Sequence, residues 1–227
     1  MAEFKDIQAA YDCNAGRYEK HAALESEVGH RLLERVKFGR SDPAVVLDLG
    51  CGTGGCAAEL KKDLRKVKVI GLDASAGMLA VARKKSSLTR PLRWINGDMN
   101  ALPLARGSID LVVSNLAIPQ LEGFGEFFDQ VRRVLKPDGM FLFSTLGPAS
   151  FAQVYEAAGC LEQPFVSAAL PDLLEVGDAL TAAGFQEPVM DVDFLTVHYP
   201  GIPELVAELE ATGTSLLLPH WDSVRQK

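Results

Sequence analysis

The chain has 227 residues, of which 48% are hydrophobic and 23% are charged. This is the composition of one globular domain, long enough to bury a sizeable core. Lys and Arg total 23 against 30 Asp and Glu, a formal net charge of -7. The acidic balance argues against a nucleic-acid or anionic-membrane binder, because both functions need a basic surface.

Targeting and redox features are those of a cytoplasmic protein. The opening stretch MAEFKDIQAAYD mixes charged and apolar residues too closely for a signal peptide. No run approaches the ~18 apolar residues that a membrane-spanning helix needs. The four cysteines include no CxxC pair, and no histidine cluster has metal-ligand spacing, so we expect no metal site.

Amphipathic helices come first in the chain. The segment Phe4–Glu34 predicts one or two helices before any strand. We expect residues 1–40 to form a helical lid on a domain that spans residues 41–227. Nothing resembling a linker separates the two, so they form a single domain.

Short apolar runs then alternate with helical patterns. The predicted strands are Val45–Leu49, Val67–Leu72, Leu92–Ile95, Ile109–Ser114 and Met140–Thr145. Helical spacing of apolar residues falls between them, around Met78–Ala82 and over Phe124–Leu135. This alternation predicts an α/β fold with a doubly wound, mostly parallel sheet and helices on both faces.

The second half predicts two helices and a strand. One helix is expected over Pro171–Ala183, with proline in its first turn and Gly184 just past its end. Val189–Tyr199 is expected to be a long strand, and Pro203 to open a helix through about Ala211. The residues after Thr214 contain no convincing strand.

A glycine-rich loop follows the first predicted strand. Gly50, Gly52 and Gly55 satisfy GxGxxG, the dinucleotide fingerprint, while Gly50, Gly52 and Gly54 satisfy the GxGxG of S-adenosylmethionine (SAM) enzymes. Asp48, two residues before the loop, would repel a pyrophosphate but attract the ammonium of a methionine moiety. The loop therefore favours SAM over a dinucleotide.

Polar residues follow the next three strands. Asp73 ends the second, where a carboxylate can accept both ribose hydroxyls. Asp98 follows the third and could accept from the adenine amino group, with Met99 packed on the ring. Ser114 and Asn115 end the fourth, at the edge where open α/β sheets bind ligands.

These motifs together resemble those of class I SAM-dependent methyltransferases. The resemblance covers residues ~45–145 and lies in Asp48-x-Gly50-Cys51-Gly52-x-Gly54, Asp73-Ala74-x-x-x-Met78, Gly97-Asp98-Met99 and Leu135-Lys-Pro-Asp-Gly139. It implies a Rossmann-like fold and SAM as co-substrate. It also implies that these loop and strand-end residues, including Cys51, Ala74 and Met78, together with Ser114, bind SAM.

The outer segments are most similar to the malonyl-acyl-carrier-protein O-methyltransferase family of biotin biosynthesis. The similarity lies in Tyr11–Ala22, in Ser114–Ala117 and in Phe143–Gly147. It implies methyl transfer from SAM to the free carboxylate of a malonyl thioester, on carrier protein or coenzyme A. Tyr18 is expected to close the pocket over the reacting groups, and Asn115 to be a second catalytic residue.

The sequence also departs from that family. Ile118–Leu121 stands where a Gln-Trp pair is usual, a His-rich stretch near residues 160–170 is missing, and the last strand of the family is not apparent. Three alternatives stay open: a small-molecule or quinone-type methyltransferase, a SAM-fold protein hydroxylase or assembly factor, and an NAD-dependent oxidoreductase. Asp48 and Asp98 argue against the last.

An acidic carrier protein would need a focused basic patch on this acidic chain. Two clusters qualify. The first is Arg83–Lys85 with Arg90 and Arg93, and the second is Lys61–Lys62 with Arg65 and Lys66.

Overall fold

The computed structural model describes residues 4–36, 42–118, 124–157, 170–217 and Trp221. Helices and strands alternate through the centre of the chain, after an all-helical start. Their bounds are α1 Phe4–Asn14, α2 Tyr18–His21, α3 Ala23–Val36, β1 Val45–Leu49, α4 Gly55–Asp63, β2 Lys68–Asp73, α5 Ala76–Ala82, β3 Arg93–Asn96, β4 Ile109–Asn115, α6 Gly125–Val134, β5 Leu135–Ser144, α7 Ala152–Ala157, α8 Leu173–Ala182 and α9 Ile202–Ala211. Short 3-10 turns follow α5 and α9.

The five strands form one sheet in the order β3-β2-β1-β4-β5. Every pairing is parallel, which confirms the predicted doubly wound fold. The order reverses between β1 and β4, so the carboxyl ends of these two strands flank the crevice where such sheets bind ligands. β1 has its predicted bounds. β2 and β3 are each shifted by one residue toward the C-terminus, and β4 ends one residue later than predicted.

Helices cover both faces of the sheet. On one face, Leu47 of β1 and Val112 of β4 are buried in a cluster with Phe127 and Phe128 of α6. On the other, Val46 and Val113 are buried with residues of α3 and α4. Because alternate residues of a strand point to opposite faces, neighbouring positions at a strand tip also belong to opposite faces.

β5 begins five positions earlier than predicted, at Leu135 rather than Met140. Leu135 pairs with Ile109 and Met140 pairs with Leu111, so the intervening Lys-Pro-Asp-Gly residues form an irregularity in the ladder. Asp138 within it has a φ of 62°. The sequence prediction missed this part of the strand because its residues are typical of turns. A bulge tolerates proline and left-handed backbone, which a regular strand does not.

The predicted strand Val189–Tyr199 is wrong, because the structure assigns no strand to these residues. Val189 and Phe194 are 93% and 83% exposed. Asp191 and Asp193 instead form ion pairs with Arg35 and Arg31 of α3. An alternating pattern makes a strand only where another strand pairs with it.

Both later helices are confirmed, with small shifts at their ends. α8 begins two residues after Pro171, because the Asp172 carboxylate accepts from the Glu175 amide at 2.8 Å and Glu175 completes a capping box. Gly184 follows the helix at φ 82°. The N-terminal segment forms three helices rather than one or two, since a turn closes between Asn14 and Arg17. In the part of the chain that the structure describes, no helix is long and apolar enough to cross a membrane.

Replacement of Phe128 by alanine tests the core on the α6 face. The Phe128 ring is fully buried and packs against two other rings. Its centroid lies 5.6 Å from that of Phe124 and 5.9 Å from that of Phe143. We expect Phe128→Ala to lower the free energy of unfolding in urea by about 3–5 kcal/mol. The exposed Phe194→Ala is the matched control, with a change within about 0.5 kcal/mol. Equal effects would contradict this assignment of the core.

Candidate active site

A cavity opens at the carboxyl edge of the sheet, where the order of the strands reverses. Its wall combines the glycine loop, the β2–α5 turn, the ends of β3 and β4, and the N-terminal helices. The lining residues are Ile7, Gln8, Tyr11, Tyr18, Leu24, Glu25, Gly50, Gly52, Asp73, Ala74, Ser75, Met78, Met99, Asn115, Leu116, Ala117, Leu146, Phe151, Thr212 and Thr214. Eight predicted site residues are among them, from Tyr18 to Asn115.

The glycine loop turns sharply between β1 and α4. Gly50, Gly52 and Gly54 have φ values of 71°, 52° and 78°, in the left-handed region that favours glycine. A Cβ on Gly52 would meet only open space beside the cavity, so a ligand can approach the backbone there. A Cβ on Gly54 would collide with the indole of Trp94, so this glycine serves the packing of β3 against the loop.

Asp73 joins the glycine loop to the β2–α5 turn. Its Oδ2 accepts from the Gly52 amide at 2.7 Å and its Oδ1 accepts from the Ser75 amide at 2.8 Å. Burial raises the pKa of this carboxyl, and the two amide hydrogen bonds oppose that rise. The carboxylate lies in the cavity wall, and the two amide hydrogen bonds fix the orientation of its oxygens.

Asp48 lies under the glycine loop rather than in the cavity wall. It is 1% exposed, and its Oδ2 accepts from the Ala57 amide in the first turn of α4 at 2.8 Å. Burial raises the pKa of Asp48 to about 7. Alternation puts Asp48 on the α4 face with Val46. Because Asp48 lies one residue inside the end of β1, the first turn of α4 covers it.

The two polar residues at the end of β4 also divide between the faces of the sheet. Asn115 lines the cavity, donates to the Glu25 carbonyl at 2.8 Å and accepts from Ser144 Oγ at 2.8 Å. It thereby ties α3 to the sheet. Ser114 is fully buried, and its Oγ has no hydrogen-bond partner among the described residues.

The other predicted SAM-binding residues differ in their position. Ala74, Met78 and Met99 line the cavity. The side chain of Cys51, a residue of the glycine loop, is buried, and burial raises the pKa of its thiol well above the usual value. Asp98 is exposed and outside the wall, and its Oδ1 accepts from the Asn100 amide at 2.8 Å.

The N-terminal helices form one wall of the cavity. Gln8 of α1 donates to the Ala74 carbonyl at 2.8 Å, and Asp12 accepts from Ser75 Oγ at 2.6 Å and from the Gly77 amide at 2.8 Å. Tyr18 of α2 is largely buried beside Tyr11, with ring centroids 6.3 Å apart. Burial raises the pKa of Tyr18 well above its usual value, so its phenol stays neutral.

Two residues of these helices carry polar contacts that sequence reasoning missed. Asp12 caps α5 across the interface, and nothing in its local sequence marks that role. Glu25 lies four residues before the buried Gly29, on the inner face of α3. A single acid among small and apolar positions at helical spacing was the pattern that could have identified Glu25.

The two basic clusters differ in how available their charges are. Lys61 is 6% exposed and donates to the carbonyls of Arg65 and Val67, so it does not belong to a surface patch. In the other cluster, Lys85 donates to the Thr53 carbonyl at 2.8 Å and forms an ion pair with Glu19 of α2. Its remaining members, Arg83, Lys84, Arg90 and Arg93, are exposed.

The sequence of this chain matches a known family and several known proteins. Residues 46–139 match the family described as "Methyltransferase domain". A malonyl-acyl-carrier-protein O-methyltransferase of Legionella pneumophila is 34% identical over 96% of this chain and 77% of its own length. Its counterpart in Methylovorus sp. is 37% identical over 91% of this chain and 72% of its own. The chain belongs to the malonyl-acyl-carrier-protein O-methyltransferase family. It is a SAM-dependent methyltransferase.

Solved structures agree on the fold of this family member. A SAM-dependent methyltransferase of Thermotoga maritima superposes with a TM-score of 0.60 at 24% identity, over 80% of this chain and 82% of that one. A phosphoethanolamine N-methyltransferase of Haemonchus contortus in complex with SAM has a TM-score of 0.56 at 23% identity, over 70% of this chain and 37% of that one. At these identities the likeness describes the fold alone.

The cavity of this methyltransferase suits SAM. Open space beside Gly52 admits a ligand to the loop backbone, and the Asp73 carboxylate lies next to it. The thioether of Met99 adds an apolar surface to the same wall. Carboxylate, bare backbone and apolar surface together match a ligand with ribose hydroxyls, a flat base and positive charge.

Replacement of Asp12 by alanine tests how the N-terminal helices are held. The change removes the acceptor for Ser75 Oγ and the Gly77 amide, and losses of this kind cost about 1 kcal/mol. We expect amide hydrogen exchange within α1 to accelerate roughly fivefold. Asp6→Ala, an exposed acid of the same helix, is the control and should leave exchange unchanged. The same acceleration in both variants would contradict the role of Asp12.

The pH dependence of stability tests the buried acids. A carboxyl whose pKa is raised in the folded state binds its proton more tightly there than in the unfolded chain. The stability of the ligand-free protein should therefore fall as pH rises from about 4 to 7, by roughly 1.4 kcal/mol for each unit of raised pKa. Asp48→Asn should make the decrease in stability with pH smaller. Its amide oxygen can still accept a hydrogen bond from the Ala57 amide, but the side chain has no titratable proton. Parallel profiles for the two proteins would exclude the buried acid at position 48 as a cause.

Proposed function

We propose that this protein transfers the methyl group of SAM to the free carboxylate of a malonyl thioester on acyl-carrier protein, a step that primes biotin synthesis. The observation that carries the proposal is identity of 34% and 37% to relatives of that name across more than nine-tenths of the chain. Malonyl-coenzyme A shares the reacting group and is the second acceptor to test.

The reaction requires the protein mainly to position the carboxylate against the methyl group. When bound, SAM supplies an electrophilic methyl group. As a malonyl carboxylate oxygen forms a bond to the methyl carbon, the C–S bond breaks and its electron pair stays on sulfur. A malonyl carboxylate is already ionised at neutral pH, so no general base has to remove a proton. Alignment, partial desolvation and exclusion of water are the remaining tasks.

The residues proposed to bind SAM differ in their position relative to the cavity. Asp73 accepts the ribose hydroxyls and Met99 packs on the adenine, supported by their place in the cavity wall. Asp48 does not line the cavity, so in its ionised form it attracts the methionine ammonium from beneath the loop rather than by contact. The contact of Asp98 with the adenine amino group rests on the family resemblance alone.

Tyr18 and Asn115 position the reaction in this proposal. Tyr18 covers the cavity as a neutral phenol, and its raised pKa makes it unsuited to act as a base. Asn115 acts through α3, because its amide is bonded to the Glu25 carbonyl and to Ser144. Both residues would thus shape the space in which the carboxylate meets the methyl group.

The carrier would dock at the exposed cluster Arg83, Lys84, Arg90 and Arg93. Lys85 connects this cluster to α2 through Glu19, the residue next to Tyr18. An acidic carrier bound there would lie beside the helices that close the cavity.

Incubation with SAM and malonyl-carrier protein tests the proposal. We expect intact-mass spectrometry to show the gain of one methyl group on malonyl-carrier and none on acetyl-carrier, because only the former has a free carboxylate. A parallel reaction with malonyl-coenzyme A separates the two acceptors. SAM binding measured in the same sample shows that the protein is folded. Bound SAM without a methylated malonyl thioester would contradict the function.

A further inference from the structure

Glu25 is an acid in the cavity wall that the proposed chemistry does not use. It lies near the start of α3, and its backbone carbonyl is fixed by the amide of Asn115 at 2.8 Å. The side chain faces the cavity together with Tyr18 of α2 and Thr212, the residue that follows α9. Its position is therefore determined by the sheet, by the N-terminal helices and by α9.

One oxygen of this carboxyl is unsatisfied. Glu25 Oε2 is buried and has no hydrogen-bond partner among the described residues. Buried polar atoms are almost always paired, and one that is not paired costs stability. An orphaned oxygen at the wall of a binding cavity indicates that its partner is a bound ligand.

The surroundings of Glu25 favour its neutral form. Burial raises the pKa of Glu25 to about 7, and the negative charge of Glu208 on α9 adds to the rise. The other titratable groups facing it are Tyr18 and Tyr199, whose pKa values burial also raises. Near neutral pH a large share of the molecules therefore carries a proton on Glu25.

Positive side chains are missing from the described lining of the cavity. Neither Lys nor Arg is found among those residues. A ligand carboxylate in the cavity must therefore be bound by uncharged hydrogen-bond donors. Without a bidentate guanidinium to neutralise its charge, the carboxylate stays nucleophilic. The Glu25 carboxyl can supply such a donor only while it is protonated.

We propose that Glu25 is a specificity-determining residue that donates its carboxyl proton in a hydrogen bond to a carboxylate bound in the cavity. Two ligands have this chemistry: the methyl acceptor, which rests on the proposed function, and the methionine end of SAM. One ligand oxygen takes the Glu25 O–H and the other stays free. The proton remains on Glu25 throughout, so the atom balance of methyl transfer is unchanged.

Proton uptake on binding is the measurement that isolates this role. A ligand carboxylate that requires protonated Glu25 draws a proton from solution at pH 8, where the free side chain is mostly ionised. Titration calorimetry in two buffers of different ionisation enthalpy counts those protons. One arm titrates SAM, and the other titrates malonyl-carrier or acetyl-carrier into protein loaded with S-adenosylhomocysteine, which cannot react.

We expect the wild type to take up close to one proton more than Glu25→Gln in one of the two arms. Glutamine keeps a donor without titrating, so its affinity at pH 6 should stay within about threefold, whereas Glu25→Ala should bind about 10- to 100-fold more weakly in that arm. Glu27→Gln is the matched control, because Glu27 is an exposed acid of the same helix paired with Arg31. It should behave as the wild type does.

The two arms identify the ligand and separate the outcomes. An effect with SAM assigns the bond to the methionine carboxylate, while an effect with malonyl-carrier but not acetyl-carrier assigns it to the acceptor. Equal proton uptake by the wild type and Glu25→Gln in both arms would overturn the role of Glu25. Failure of the proposed function is visible separately, as wild-type protein that forms no methyl ester.

Discussion

The Asp73 carboxylate holds the binding edge of this protein together. Through its two oxygens it fixes the amide of Gly52 in the glycine loop and the amide of Ser75 at the start of α5. Ser75 then donates through its hydroxyl to Asp12 of α1. One chain of hydrogen bonds thus runs from the loop through the end of β2 to the N-terminal helices.

Electrostatics around the cavity are dominated by buried acids. Asp48, Asp73 and Glu25 all have raised pKa values, with burial as the main cause. Burying a carboxyl without a compensating cation is costly, and the described lining supplies none. A cationic methyl donor offsets part of that cost when it binds. In the proposed reaction, a ligand carboxylate would be bound by neutral hydrogen-bond donors, which would preserve its nucleophilicity.

The sheet could be predicted from sequence where burial on both faces made a short, mainly apolar run. Val45–Leu49 is such a run, flanked by proline on one side and glycine on the other, and its bounds agree with the structure. The predicted β5 is too short because Lys136–Gly139 has the residue types of a turn, although in the structure it continues the ladder as a bulge. Val189–Tyr199 has the alternation of a strand but no partner strand in the described structure. Local pattern reports the preference of a segment, and pairing depends on its neighbours.

The sequence by itself determined the glycine loop, the acids at the strand tips and hence a SAM-binding α/β fold, because these depend on residues close together along the chain. Only the tertiary structure decided which of those acids reach the cavity. Asp48 lies one residue inside the end of β1, where the first turn of α4 covers it, whereas Asp73 is the last residue of β2 and opens to the binding edge. It also brought Asp12 and Glu25 to the site from helices that precede the sheet. Contacts across 63 residues, such as that of Asp12 with Ser75, arise from packing between distant elements, which no local spacing encodes.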